Sequence, residues 1–282
     1  METSYFDASW NDIRNSPAWF PKVLLLGLIS MIPIFGSIVV NGYAWGWARD
    51  IAWDVHRPLP KAIFGNEDGK LYSRGFFALL LAFIIAAVTQ ILLTLCDSWP
   101  GCDFLIMLLE IAATMLSFVA IMRESIYARY SAGFQFAKIW AMAKHDYKGL
   151  LRILGMRLLV QFISVFAIAI VCTVVVIALL IIGAGVGVAA DIDWNALSAT
   201  VSQGSNYASS VAIEQLVTAL LPVLGFAVLL LAVFIYAVQC INAWFILLQT
   251  RAMGYWTRQF QVAQWLGQED PMPFEIAGES KA

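Results

Sequence analysis

The chain has 282 residues, of which 61% are hydrophobic and 13% charged, with a mean hydropathy of +0.78. Soluble domains run at roughly 45–50% apolar and about 25% charged, so these figures exclude a water-soluble globule and a disordered or collagen-like chain. A net charge of −2 supplies no general positive field for nucleic acid.

The polar, mixed-charge start lacks the short apolar core and small-residue site of a cleavable signal peptide, so the first apolar segment is expected to remain as an anchor. Phe6, Trp10 and Ile13 recur at helical spacing, which predicts an interfacial helix within residues 1–18. Ser16-Pro17 reads as the cap and first position of the next helix.

Residues 19–47 are apolar but broken at Pro33 and Gly36. Proline removes a helical hydrogen bond and disfavours helix at the residue before it. The segment is either one kinked span or a hairpin of two short helices; length favours the first and charge, below, the second.

Two runs of near-bilayer length follow, 76–95 and 104–122, joined by a tight loop from Cys96 to Cys102. Between the second of these and the next span lies a stripe of Phe136, Trp140, Ala143, Tyr147, Leu150 and Leu154, with Lys138, Lys144, Lys148 and Arg152 elsewhere around the helix. That pattern predicts a basic amphipathic helix over 131–154, lying on the membrane surface. The last two runs, 158–190 and 215–248, are longer than a bilayer crossing requires, with Pro222 and Gly183, Gly185 and Gly187 as places to bend. A polar tail, 259–282, closes the chain.

Every Lys and Arg falls outside the loops 96–103 and 190–214, which instead carry Asp97, Asp103, Asp191, Asp193 and Glu214. Basic loops stay cytoplasmic. This places 48–75, 123–157 and the C-terminus inside and, for a hairpin at 19–47, the N-terminus as well. The expected fold is all-α: one polytopic membrane domain of about six helices, the first two short, with interfacial helices beside them. The bilayer is the prokaryotic cytoplasmic membrane.

Candidate chemistry is sparse. Glu110 lies about 9 Å inside its span, with Gln90 at a similar depth on the preceding helix. An ionisable group there points to a proton or cation site; the blander and commoner role is a neutral acid bonded to Gln90. Asn41, Gln161, Gln239 and Asn242 form a second polar set towards the inner side, serving either a transport pocket or ordinary interhelical hydrogen bonds. Gly42-x-x-x-Gly46 and Gly183-x-x-x-Gly187 permit close helix approach. Cys96 and Cys102 bracket an outer turn and are candidates for a small disulfide ring, whereas Cys172 and Cys240 read as small apolar residues. No hydrolase, metalloprotease or nucleotide-binding motif is present, no metal or cofactor is implied, and an enzyme is not expected.

Leu28-Ile-Ser-x-Ile32-Pro-Ile-x-Gly36, Gly42-Tyr43, Arg49, Leu59-Pro60, Phe64-Gly65, Gly133-x-x-Phe136 and Tyr147 form a set of landmarks along much of the chain. In these the sequence resembles a prokaryotic family of multi-spanning membrane proteins known only as a domain of unknown function. Lys61-Ala62-Ile63 stands where that pattern carries acidic and Trp residues. The resemblance implies an all-helical fold with a broken first segment and supplies no catalytic residue. The expected function is a non-catalytic scaffold or accessory subunit, with the bilayer and other membrane subunits or a second copy as partners. The alternative is a small-solute or ion transporter working through Glu110 and Gln90 or through the inner Asn/Gln set.

Overall fold

The structure, a computed structural model, describes residues 4–65, 68–96, 101–189 and 206–262. Among these every regular element is helical, and four helices are long and apolar enough to cross a membrane: Leu71–Cys96, Cys102–Tyr127, Tyr147–Ile177 and Val228–Arg258. The chain is therefore an all-α, membrane-embedded protein. Its packing divides it into two units, Met1–Val160 with Gln239–Ala282, and Gln161–Val238.

In the first unit, α1 (Tyr5–Arg14) is capped by Ser4, whose hydroxyl accepts the Phe6 N–H, and buries Ser9 and Ile13. The expected start of the next helix at Ser16-Pro17 is displaced: α2 (Trp19–Ser30) begins after Ala18, which stands in the left-handed region at φ 54°. The Ser16 hydroxyl is engaged twice elsewhere. It donates to the Asp12 carbonyl at 2.7 Å and accepts the Leu59 N–H at 2.9 Å.

The proline break separates α2 from α3 (Phe35–Ala52). The two are antiparallel, because the start of α2 and the end of α3 meet the same loop. Lys22 Nζ donates to the Leu59 carbonyl at 2.8 Å, and Trp47 Nε1 donates to the Arg57 carbonyl at 3.0 Å. Residues 19–47 thus fold as a hairpin rather than as one kinked helix. Its core joins Val23, Leu26 and Ile29 to Val39, Val40 and Tyr43, with Leu247 and Leu248 packed against them.

Helix α3 lies against α4 (Leu71–Cys96) through reciprocal glycines. A methyl group at Gly42 would strike the Leu71 carbonyl, and one at Gly75 the Ile38 carbonyl. Sequence spacing pointed to Gly42 but not to its counterpart across the interface. Helix α5 (Cys102–Tyr127) returns beside α4 and ends at Ala128, φ 53°.

The predicted interfacial helix over 131–154 is in fact three pieces. Short α6 (Tyr130–Gly133) and α7 (Phe136–His145) precede α8 (Tyr147–Ala189), so 147–154 opens the span itself. The break falls at Asp146, whose carboxylate accepts the Gly149 N–H at 2.9 Å and the Trp256 Nε1–H at 3.0 Å. An acidic side chain that bonds the first-turn N–H groups starts a new helix there. Helix α9 (Asn206–Arg258) completes the set. Glu214, expected in a loop, lies within it, while Asp191 and Asp193 fall outside the described residues.

At 43 and 53 residues, α8 and α9 exceed about 20 residues per crossing by more than twofold. The helix runs without interruption through Gly183, Gly187 and Pro222. In the second unit, Phe162, Phe166, Leu229 and Val233 are exposed, a surface suited to hydrocarbon, and Thr173 returns its hydroxyl to the Ala169 carbonyl.

Candidate functional site

Among the described residues, the polar side chains expected within the spans lie apart from the two cavities described below. Glu110 and Gln90 are both exposed, and no hydrogen bond joins their side chains. Asn41 spends its amide on its own helix, donating to the Ser37 carbonyl at 2.8 Å. Gln161 and Asn242 are exposed and Gln239 is half-buried. None of the six lines either cavity described below. Cys96 and Cys102 are free thiols, and Asp97 and Trp99 between them lie outside the described residues. Cys240 is buried against α2, where Gly27 admits it; Cys172 is exposed.

The residues of the expected basic face lie on helices whose buried edge differs from the stripe in the sequence. Helix α7 buries Ile139, Met142 and Ala143, while Phe136 and Trp140 are 74% and 62% exposed along the opposite edge. Lys144, Lys148 and Arg152 are exposed and Lys138 is half-buried. Exposed aromatic rings beside Lys and Arg suit the headgroup layer.

Three buried arginines lie near the helix ends opposite the 96–102 turn. Arg251, fully buried on α9, meets Asp12 of α1 through Nε and Nη2 at 2.7 and 2.6 Å, and its Nη1 donates to the Trp47 carbonyl at 2.8 Å. Its guanidinium also sits 4.2 Å from the Trp47 ring centroid, within cation–π range. Tyr255 adds a 2.9 Å hydrogen bond to the same Asp12 carboxylate.

Arg123, also buried, donates to the Ala132 carbonyl at 3.3 Å and to Gln135 Oε1 at 2.5 Å. It thereby ties the α6–α7 turn to the end of α5. The third, Arg74, pairs with Asp68, which Arg49 engages from α3. Burial works against ionisation of Asp68. Hydrogen bonding and charge from Arg74, the Lys70 N–H and the Arg49 charge overcome it and hold the carboxyl below its usual range. Beside them lies Glu124, fully buried, with Oε1 accepting from Ser73 at 3.4 Å and Oε2 without a partner. Composition singled out none of these residues. Charges at span ends read as solvated, and only the fold shows that loops and short helices cover them.

Residues 53–65 form a loop pinned from beneath. Besides the contacts from Lys22, Trp47 and Ser16, the Tyr43 hydroxyl donates to the Pro60 carbonyl at 2.9 Å. Carbonyls 57, 59 and 60 and the Leu59 N–H are therefore all engaged by side chains. Such anchoring fixes an otherwise open segment. Above it opens a cavity of about 890 Å³ bounded by this loop, Gly46, Arg49, Asp50, Asp68 and Arg74. Its charged lining is Arg49, Arg57, Lys61 and Arg74 against Asp50 and Asp68, a net +2. A second cavity, about 420 Å³, lies between Tyr5 and Ala8 of α1 and Tyr255, Arg258, Gln259 and Gln261.

A family model described as a protein of unknown function, DUF4013, matches residues 25–181. That stretch is more than half of the chain and includes the second half of α2, α3, the pinned loop, α4 through α7 and most of α8. No curated protein and no solved structure matches.

Proposed function

The chain belongs to the DUF4013 family, whose description carries no activity, and from that premise we propose a non-catalytic integral membrane protein that acts as a scaffold or accessory subunit. The observation that supports this most is the exposure of Glu110 and Gln90 on the part of the α4–α5 pair nearest the 96–102 turn. There they stand among exposed Phe83, Val88, Ile91, Leu105, Leu108 and Leu109. Ionisable side chains within spans normally face a bundle interior or a polar cavity. A carboxyl on an outward surface favours a neighbouring transmembrane helix, one that brings a hydrogen-bond donor to that depth, over lipid tails.

The distribution of basic residues supports both termini and the pinned loop on the cytoplasmic side of a prokaryotic inner membrane. Transport through Glu110 and Gln90 is the weaker reading, since neither lines either of the two cavities described among these residues. A photo-crosslinker at Leu109 in native membranes tests the proposal. A discrete adduct to another membrane chain, lost on Glu110→Leu, is expected. Adducts to lipid alone overturn it, and an adduct of doubled mass makes the partner a second copy.

A further inference from the structure

We propose that Arg157 holds the phosphate of an anionic phospholipid on the flank of α8 that faces α5, at the side of the membrane that carries the basic loops. This goes beyond the scaffold reading and is independent of it, since neither Glu110 nor Gln90 takes part.

The face that α8 buries in its first turns is drawn from Leu150, Ile153 and Leu154. Arg157 stands seven, four and three residues beyond them and so falls on the same face. Yet it is exposed: the packing that covers the start of the helix ends before it. Its guanidinium lies over the ring of Phe118 on α5, with Cζ 5.3 Å from the centroid, within cation–π range. A ring covers one face of the guanidinium and leaves the N–H groups at its edge without acceptors. Among the described residues, no carboxylate pairs with Arg157 and no hydrogen-bond acceptor meets it.

Depth and charge select the occupant. Arg157 lies about 15 Å along the helix axis from Tyr147, directly before the exposed Leu158 and Leu159, where the apolar run of α8 begins. An unpaired charge at that boundary is costly. A phosphate relieves the cost, because the guanidinium fork meets phosphoryl oxygens two at a time. Lys148 and Arg152, both exposed, precede Arg157 on a helix that carries no acidic residue. Clustered cations at this level favour a lipid of net negative charge over a zwitterionic one. Met115 and Ile111, one and two turns deeper on α5 than Phe118, are half-buried and apolar, a surface for the acyl chain. A soluble phosphate brings no chain to that surface, so the lipid is the occupant that fits.

The test uses the full-length protein in nanodiscs of mixed phosphatidylglycerol and phosphatidylcholine, with retained lipid identified by native mass spectrometry. Wild type is expected to keep phosphatidylglycerol in preference to phosphatidylcholine. Arg157→Gln is expected to lower that retention at least about tenfold through loss of the charge-assisted contact. Lys144→Gln, which removes an equal charge from an exposed position on α7, is expected to lower it far less. Equal retention of both lipids, or of neither, overturns the proposal. So does the same effect from both variants, which would reveal adsorption to any basic surface. A second measurement needs no variant. Phosphatidylglycerol carrying a diazirine near its headgroup is expected to label wild-type peptides that contain Phe118 or Arg157, and labelling confined to other segments overturns the assignment.

Discussion

The two ends of the α4–α5 pair obey opposite rules. Towards the pinned loop, Arg74, Arg123 and Glu124 are buried, with hydrogen bonds between the two helices at Ser73 and Ser125 and to Ala132 and Gln135 beyond them. Towards the 96–102 turn, the same helices carry Gln90 and Glu110 on an exposed surface rich in Leu, Ile, Val and Phe. One end has its charged side chains buried and engaged, in large part, by its own chain. The other leaves its polar groups on the outer surface. Polar groups that are satisfied internally report on how a protein is built, and those that are not report on what it meets.

Breaking the buried end has the largest effect. Arg251→Ala leaves Asp12 beside Trp47 and Tyr255 without its counter-charge, a loss of about 3–5 kcal/mol for a broken buried pair. It is read as a fall in the unfolding midpoint in detergent. Replacing both partners, Asp12→Leu with Arg251→Met, is expected to recover most of that loss; failure to recover would show that the cation–π and carbonyl contacts outweigh the ion pair. Gly75→Val comes next, at about 1–3 kcal/mol for overpacking, because the new side chain must displace the Ile38 carbonyl across the α3–α4 contact. Helix separation, measured by spin labels on α3 and α4, increases in that variant.

The Asp68 effect depends on pH. Its carboxyl titrates lower in the folded protein than in the unfolded chain, so its stabilisation is complete above the unfolded value and is lost as pH falls through the folded one. Wild type is expected to exceed Asp68→Asn in midpoint at neutral pH, with the gap closing below the ordinary carboxylate range. A gap that widens on acidification would reverse the sign. Tyr43→Phe is smaller, about 1 kcal/mol, with faster proteolysis of the 53–65 loop as its local signature. Glu110→Gln has the least effect on unfolding, close to zero, while it weakens the cross-link at Leu109. A large unfolding shift in that variant would place Glu110 inside the fold and erase the contrast between the two ends.

Much of this architecture is legible in the residues alone. Apolar runs locate the spans, Pro33 and Gly36 locate the hairpin turn, and Gly42 marks a close contact. These signals are local, and they survive because hydrophobic length and backbone chemistry act over a few turns. The site was not legible, because its polar groups come from distant segments: Lys22 with Leu59, Arg123 with Gln135, Arg251 with Asp12. The basic stripe misled in one respect. Asp146 interrupts it by capping a new helix, and a carboxylate in that role looks, in sequence, like any other solvated charge. Glu110 and Gln90 stand out in the sequence by their depth in apolar runs, but their exposure could not be read from it, since depth does not specify which face of a helix turns outward.

The pairing of Asp12 with Arg251 also imposes an order on biogenesis. The two residues are 239 positions apart, so α1 emerges from the ribosome long before the charge that holds it is synthesised. Until α9 is made, Asp12 lacks the Arg251 guanidinium, although Ile13 and Ser16 already have partners in the hairpin and the pinned loop. The ion pair therefore closes only in a chain synthesised past residue 251, and it adds the last span to contacts that α1 can make without it.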